Sequence, residues 1–210
     1  MWSSSFIRVK AKAISYIFHP LFMPTYFLLI LWYYFPYEFS GINSWQMNLK
    51  IFGMFWMTAF FPAFAVFLLW RLKMIDSIFL RTQKERIIPY FVTMFFYWWM
   101  YYLSRNFTDQ PLVLKFFFFG IFICVSIAVI LNNYFKISMH AMGVGGLATA
   151  LILTAFYYQI NLGLPIALLV LLAGAVVTAR LVLGEHQERE VYAGLLLGIF
   201  CQLISYYIIL

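Results

Sequence analysis

Seven long apolar runs, roughly 14–37, 49–70, 89–104, 112–131, 141–159, 164–183 and 191–210, constrain this chain more than any other feature. A run of about 18 or more apolar residues is long enough to cross the hydrocarbon core of a bilayer as a helix. The expected fold is all-α: a polytopic transmembrane helical bundle of about six to seven spans. Residues 1–210 would form a single transmembrane domain. The third run is short and is expected to be tilted or partly interfacial. The chain is 65% hydrophobic, 22% aromatic and 10% charged, more apolar surface than a soluble domain of 210 residues needs.

The formal net charge is +7. If the runs are seven spans, the N-terminus and the loops 71–88, 132–140 and 184–190 share one side of the membrane. That side carries Arg8, Lys10, Lys12, Arg71, Lys73, Arg81, Lys84, Arg86, Lys136, Arg180 and Arg189, against Lys50, Arg105 and Lys115 on the other. Basic residues held in such loops point to topology signals and anionic lipid headgroups, not to nucleic acid. The positive-inside rule places the crowded side in the cytoplasm. The cations of Arg8, Lys10 and Lys12 precede a run too long for a signal peptide, with no small-x-small cleavage site after it. They are expected to flank a retained first helix. Cys124 and Cys201 lie inside apolar runs without metal spacing and read as packing residues.

Against this apolar background, Arg180, His186 and Glu190 are costly and need a reason. His186 and Glu190 are four apart, so they share a helix face and can hydrogen-bond. A carboxylate on one imidazole nitrogen fixes the tautomer and leaves the other free as nucleophile or base, while an arginine fork suits an oxyanion. A solvated turn between helices is the plainer alternative. Two further polar loops are expected on the same face. In one, Arg81, Lys84 and Arg86 precede Pro89; they suit a phosphate clamp or a basic cluster against lipid headgroups. In the other, Ser138 and His140 precede an apolar helix, as an anion site with a proton donor or as an ordinary cap with an interfacial histidine. His140, His186 and Glu190 also make a conceivable metal set, but the surrounding arginines favour an anion.

The three loops together resemble the type 2 phosphatidic acid phosphatase (PAP2) superfamily. Its third motif, Ser-Arg-x5-His-x3-Asp, is matched by Ala179-Arg180-x5-His186-x3-Glu190. Its second, Pro-Ser-Gly-His, is matched by Ile137-Ser138-Met139-His140. Its first, Lys-x6-Arg-Pro, is represented by the cation-rich stretch from Arg81 to Arg86 with Pro89, with Phe79 where the lysine would stand. The resemblance spans roughly residues 75–200 and implies an integral-membrane lipid phosphatase, in bacteria one of the inner membrane, whose relatives often face outward. It implies a lipid phosphate as substrate: phosphatidate, phosphatidylglycerol phosphate or a polyprenyl diphosphate. His186 would form a phosphohistidine, Glu190 would orient it, and His140 would protonate the leaving oxygen and then activate water. Arg180, Arg81, Lys84, Arg86 and Ser138 would bind the phosphoryl oxygens, with no metal or cofactor. The altered neighbours Met139, Ala179 and Glu190 leave one alternative standing, a non-catalytic relative that binds or moves anionic lipids.

Gly194 and Gly198 have the spacing of close helix packing, and Gly143, Gly145 and Gly146 are expected to let the fifth run approach its neighbours. His19, with Pro20 and Pro24, reads as an interfacial histidine at a kinked helix.

Overall fold

A computed structural model describes residues 5–107 and 110–210. Positions 108 and 109, in the connection after the third run, lie outside the described residues. The described residues form only helices and their connections, and among them six helical rods are long and apolar enough to cross a membrane. The class expected from the apolar runs is the one observed. The protein is therefore an integral membrane protein, because every backbone group of such a rod is satisfied within it.

The first rod differs from the expected one. It begins at Ser5 instead of residue 14, and it is broken. Helix α1 (Ser5–Ile17) and helix α2 (Met23–Tyr34) are separated by a single 3-10 turn, Pro20–Phe22. Pro20 disfavours the α-conformation in the residue before it, and His19 accordingly sits at φ −68°, ψ 137°. Two carbonyls near the break are taken by side chains: the Tyr26 hydroxyl donates to Ile17 O at 2.7 Å, and His140 Nε2 lies 3.1 Å from Ser15 O. The apolar count missed α1's early turns because Arg8, Lys10 and Lys12 interrupt them.

The second rod joins α3 (Ser44–Phe55) to α4 (Phe61–Arg71) through a π-helical turn, Trp56–Phe60. Pro62 has no N–H to give the preceding turn, and Thr58 donates its hydroxyl to Met54 O at 2.8 Å. Helix α5 (Gln83–Asn106) has 24 residues, about 36 Å at 1.5 Å per residue. It is long enough to span, but its polar first turn and tyrosines lower its hydropathy. The remaining rods are α6 (Leu112–Leu131), α7 (Met139–Tyr158), α8 (Gly163–Val182) and α9 (Glu188–Ile209).

Helix α7 is the axis of the bundle and packs most intimately on α9. Glycine makes this possible. A Cβ built on Gly194 would meet Ser138 O at 2.6 Å, one on Gly145 would meet Leu195 O at 2.6 Å, and one on Gly198 would strike Met142 O. The small-residue spacing seen in the sequence is thus used inside the bundle. Gln202 Nε2 donates to Phe117 O at 3.2 Å and the Ser205 hydroxyl to Phe116 O, tying α9 to α6. The core around them is phenylalanine-rich, with Phe27, Phe116, Phe117 and Phe118 fully buried.

The loops after α4, α6 and α8 come together at one end of the bundle, as the span parity required. Side chain-to-backbone bonds join them. Gln83 Nε2 donates to Asn132 O at 2.6 Å, and Asn132 Nδ2 returns a bond to Gln83 O at 2.8 Å. Arg86 Nη1 reaches Ile137 O at 2.9 Å. Ser138 N donates to Glu190 O at 3.1 Å.

Candidate active site

The helices that begin at this end of the bundle, α5, α7 and α9, are capped by polar side chains, and Glu190 in α9 also carries candidate chemistry. Glu190 is the third residue of α9. Its Oε2 accepts from Gln187 N–H at 3.1 Å, so the carboxylate closes the helix N-terminus, where a negative charge is favoured. The same oxygen lies 3.1 Å from His186 Nδ1, which also lies 3.0 Å from Lys136 O. Both partners are acceptors, so Nδ1 carries the hydrogen and donates to both. Nε2 is left with its lone pair and, among the described residues, without a protein partner.

His186 is 8% exposed, and its pKa is held down to about 4. Burial is the first cause and the Arg86 charge the second; the Glu190 hydrogen bond opposes them, and Arg180 and Lys136 add to the lowering. The ring is therefore neutral near pH 7.

His186 opens onto a cavity of about 590 Å³. Arg180, Arg81, Arg86 and His140 line the same cavity, so five of the eight expected site residues surround one space. Glu190 stands behind His186 as its hydrogen-bond partner. Arg180 enters from the end of α8. Its Nη2 lies 3.9 Å from Glu185 Oε2, and its Nε is buried with no partner among the described residues. His140 holds Ser15 O through Nε2, which leaves Nδ1 as its available nitrogen.

Arg86 is partly committed to the protein. Nε donates to Leu80 O at 3.0 Å and Nη1 to Ile137 O, so Nη2 remains for a ligand. Leu80 holds a left-handed backbone at φ 50°, unusual for a leucine, and the bond from Arg86 offsets the strain. Glu85 fixes the same loop, accepting from Asp76 N–H at 2.9 Å and Ser77 N–H at 3.1 Å through Oε1 and from Thr82 N–H at 3.0 Å through Oε2.

Two expected residues lie apart from the cavity. Lys84 is exposed elsewhere, because residues two apart on a helix face different ways and Arg86 takes the inward position. Ser138 is fully buried. Its hydroxyl accepts from Ala141 N–H at 3.4 Å and caps α7, so it braces the site from behind. Phe79 forms part of the wall.

The cavity also contains residues from outside the three loops. Lys12, Ser15, Tyr16 and His19 line it from α1 and its break, and Tyr90 from α5. The Ser15 hydroxyl is buried without a hydrogen-bond partner among the described residues, and the buried Tyr90 hydroxyl lies beside the Arg86 guanidinium. All three histidines of the chain therefore face one space. The signal in the sequence was the pair Lys12-x2-Ser15, one face of a helix, followed by His19 beside the helix-breaking Pro20. Four cations, Lys12, Arg81, Arg86 and Arg180, face the single carboxylate of Glu185, so the cavity suits an anion. Among the described residues, no three His, Cys, Asp or Glu side chains are placed to hold a metal ion.

No family model matches this chain, no curated protein matches its sequence, and no solved structure matches its fold.

Proposed function

We propose that the protein is an integral-membrane phosphatase that removes a phosphoryl group from a lipid phosphate through a phosphohistidine at His186. One observation carries the reading: His186 presents a neutral Nε2 to a cationic cavity while Glu190 and the Lys136 carbonyl hold its Nδ1–H. The resemblance of Arg180, His186 and Glu190 to the third PAP2 motif, and of His140 to the second, supports it.

In the first step Nε2 forms a bond to phosphorus as the bond to the lipid oxygen breaks. His140 Nδ1, which takes up a proton together with the anionic substrate, gives that proton to the departing oxygen. Glu190 stabilises the imidazolium character that develops on His186. Arg180 and Arg86 Nη2 face the non-bridging oxygens and stabilise their charge. In the second step water gives a proton to His140 Nδ1 and its oxygen bonds to phosphorus, the N–P bond breaks, and phosphate leaves. The cavity wall draws on α1, α4, α5, α7 and α8, all apolar rods or their ends, which favours an amphiphilic substrate.

The test is phosphate release from phosphatidate, phosphatidylglycerol phosphate and polyprenyl diphosphate in detergent, with orthovanadate as inhibitor. His186→Ala should lose about 10³-fold or more of the turnover. His140→Ala should lose about 10²–10⁴-fold. Full turnover by His186→Ala rejects the nucleophile.

A second reading, a non-catalytic binder of anionic lipids, is favoured by the commitment of Arg86 Nε and Nη1 to carbonyls, which leaves fewer donors for a transition state. Lipid-phosphate binding with no hydrolysis across the same panel would select it.

A further inference from the structure

We infer that helix α1 supplies the second half of the phosphate site, through Lys12, Ser15 and His19. This rests on the phosphatase reading of the cavity and adds to it a set of residues outside the three loops.

Lys12 and Ser15 are three apart and share one face of α1, and His19 follows two residues after its end, in extended backbone at the break. All three line the cavity that contains His186. The chemistry of each suits an anion. Lys12 carries a charge and is exposed. The Ser15 hydroxyl is buried, 5% exposed for the whole residue, and has no partner among the described residues. A buried hydroxyl left unpaired costs free energy unless a ligand or water satisfies it.

His19 is oriented by its own backbone. Leu21 N–H points at His19 Nδ1 at 3.4 Å, so Nδ1 is the acceptor and the neutral ring carries its hydrogen on Nε2. Nε2–H has no protein acceptor among the described residues. The His19 and His140 rings meet edge to face, with centroids 5.1 Å apart and planes at 83°. The two rings then differ in role. His140 uses Nε2 to hold Ser15 O and keeps Nδ1 for proton transfer. His19 donates a hydrogen bond to a phosphoryl oxygen and transfers no proton.

The break in the first rod is what makes this possible. Pro20 forces extended backbone on His19 just past the end of α1, and both residues line the cavity. The stripe also faces the gap in the loop motif. Where the first PAP2 motif has a lysine, this chain has Phe79, which lines the cavity without charge. Lys12 restores a cation to that space from another helix.

The test uses the full chain in detergent and inorganic phosphate as probe, with binding read from thermal stabilisation. Wild type should be stabilised in a saturable way. Lys12→Met and His19→Phe should each weaken the apparent Kd by about tenfold, the effect of one lost hydrogen bond to an anion. His19→Gln, which keeps an N–H donor, should stay within about threefold. Lys12 is exposed, so Lys12→Met reports binding even if the His19 variants fold poorly. If Lys12→Met and His19→Phe bind phosphate like wild type while Arg180→Met does not, α1 is scaffold alone and the inference fails, with the loop site intact. If phosphate does not stabilise wild type, the anion-site reading of the cavity fails, and the inference with it.

Discussion

At the scale of single residues, His186 links acid stability to activity. The unfolded chain takes up a proton on this ring near its ordinary value of 6.5, whereas the folded chain does so only near 4. Stability from this group is complete above pH 6.5 and is lost as pH falls toward 4, because the unfolded state then binds the extra proton. Thermal unfolding at pH 7 and pH 5 should show a drop in Tm that shrinks in His186→Gln. In activity, the acid limb of kcat/KM that reports this ring should lie near pH 4. Glu190 is tested by shortening it. Glu190→Asp withdraws the carboxylate from both Gln187 N–H and His186 Nδ1, and kcat should fall by about 10²-fold with little change in KM. The pairing of His186 with Glu190 was legible from their four-residue spacing, since helical geometry alone sets it. Lys84 and Ser138 were read less well. Charge suggests a clamp, but which cation turns inward depends on where the helix starts, and Thr82 is the residue that starts α5.

At the scale of elements, the α7–α9 contact is governed by glycine. Gly198→Leu must push Met142 O away and should destabilise the fold by about 1–3 kcal/mol, measured by unfolding in mixed micelles. The same substitution at Gly174, where an added Cβ meets nothing within 4 Å, should be nearly neutral and serves as control. The apolar runs predicted where helices lie but not how they are interrupted. The break at His19 was signalled by Pro20 and Pro24. The π-helical turn at Trp56–Phe60 was not, since a π turn differs from an α turn by one hydrogen-bond register and leaves no composition mark. The start of α1 was obscured because Lys12 and its neighbours read as a charged flank, although Lys12 sits on a helix that lines the cavity.

At the scale of the whole molecule, the topology can be read by labelling. Gln187→Cys and Lys84→Cys should react with a membrane-impermeant maleimide from the same side of the membrane, and Asn161→Cys only from the other. Cys124 and Cys201 are buried and should stay silent. Labelling of positions 187 and 84 from opposite sides would contradict the convergence of the three loops. That convergence followed from parity in the sequence, because an even number of spans separates each loop from the next. The same parity placed the N-terminus and Lys12 at that end, but not the approach of α1 to the cavity. That approach depends on a broken first helix folding against α8, a tertiary contact with no local pattern.

The bonds that hold the site together mostly end on main-chain carbonyls: Leu80 and Ile137 for Arg86, Lys136 for His186, Asn132 for Gln83, Ser15 for His140. A carbonyl is offered by every residue type. As far as these bonds go, position 136 can change so long as the chain keeps its path, whereas Leu80 is limited by its left-handed backbone and Ile137 by its full burial, and the few side chains that reach the carbonyls are fixed. Descendants of this fold would then diverge quickly in the loops that frame the cavity, and their kinship would be better preserved in the spacing of Arg180, His186 and Glu190 than in overall identity.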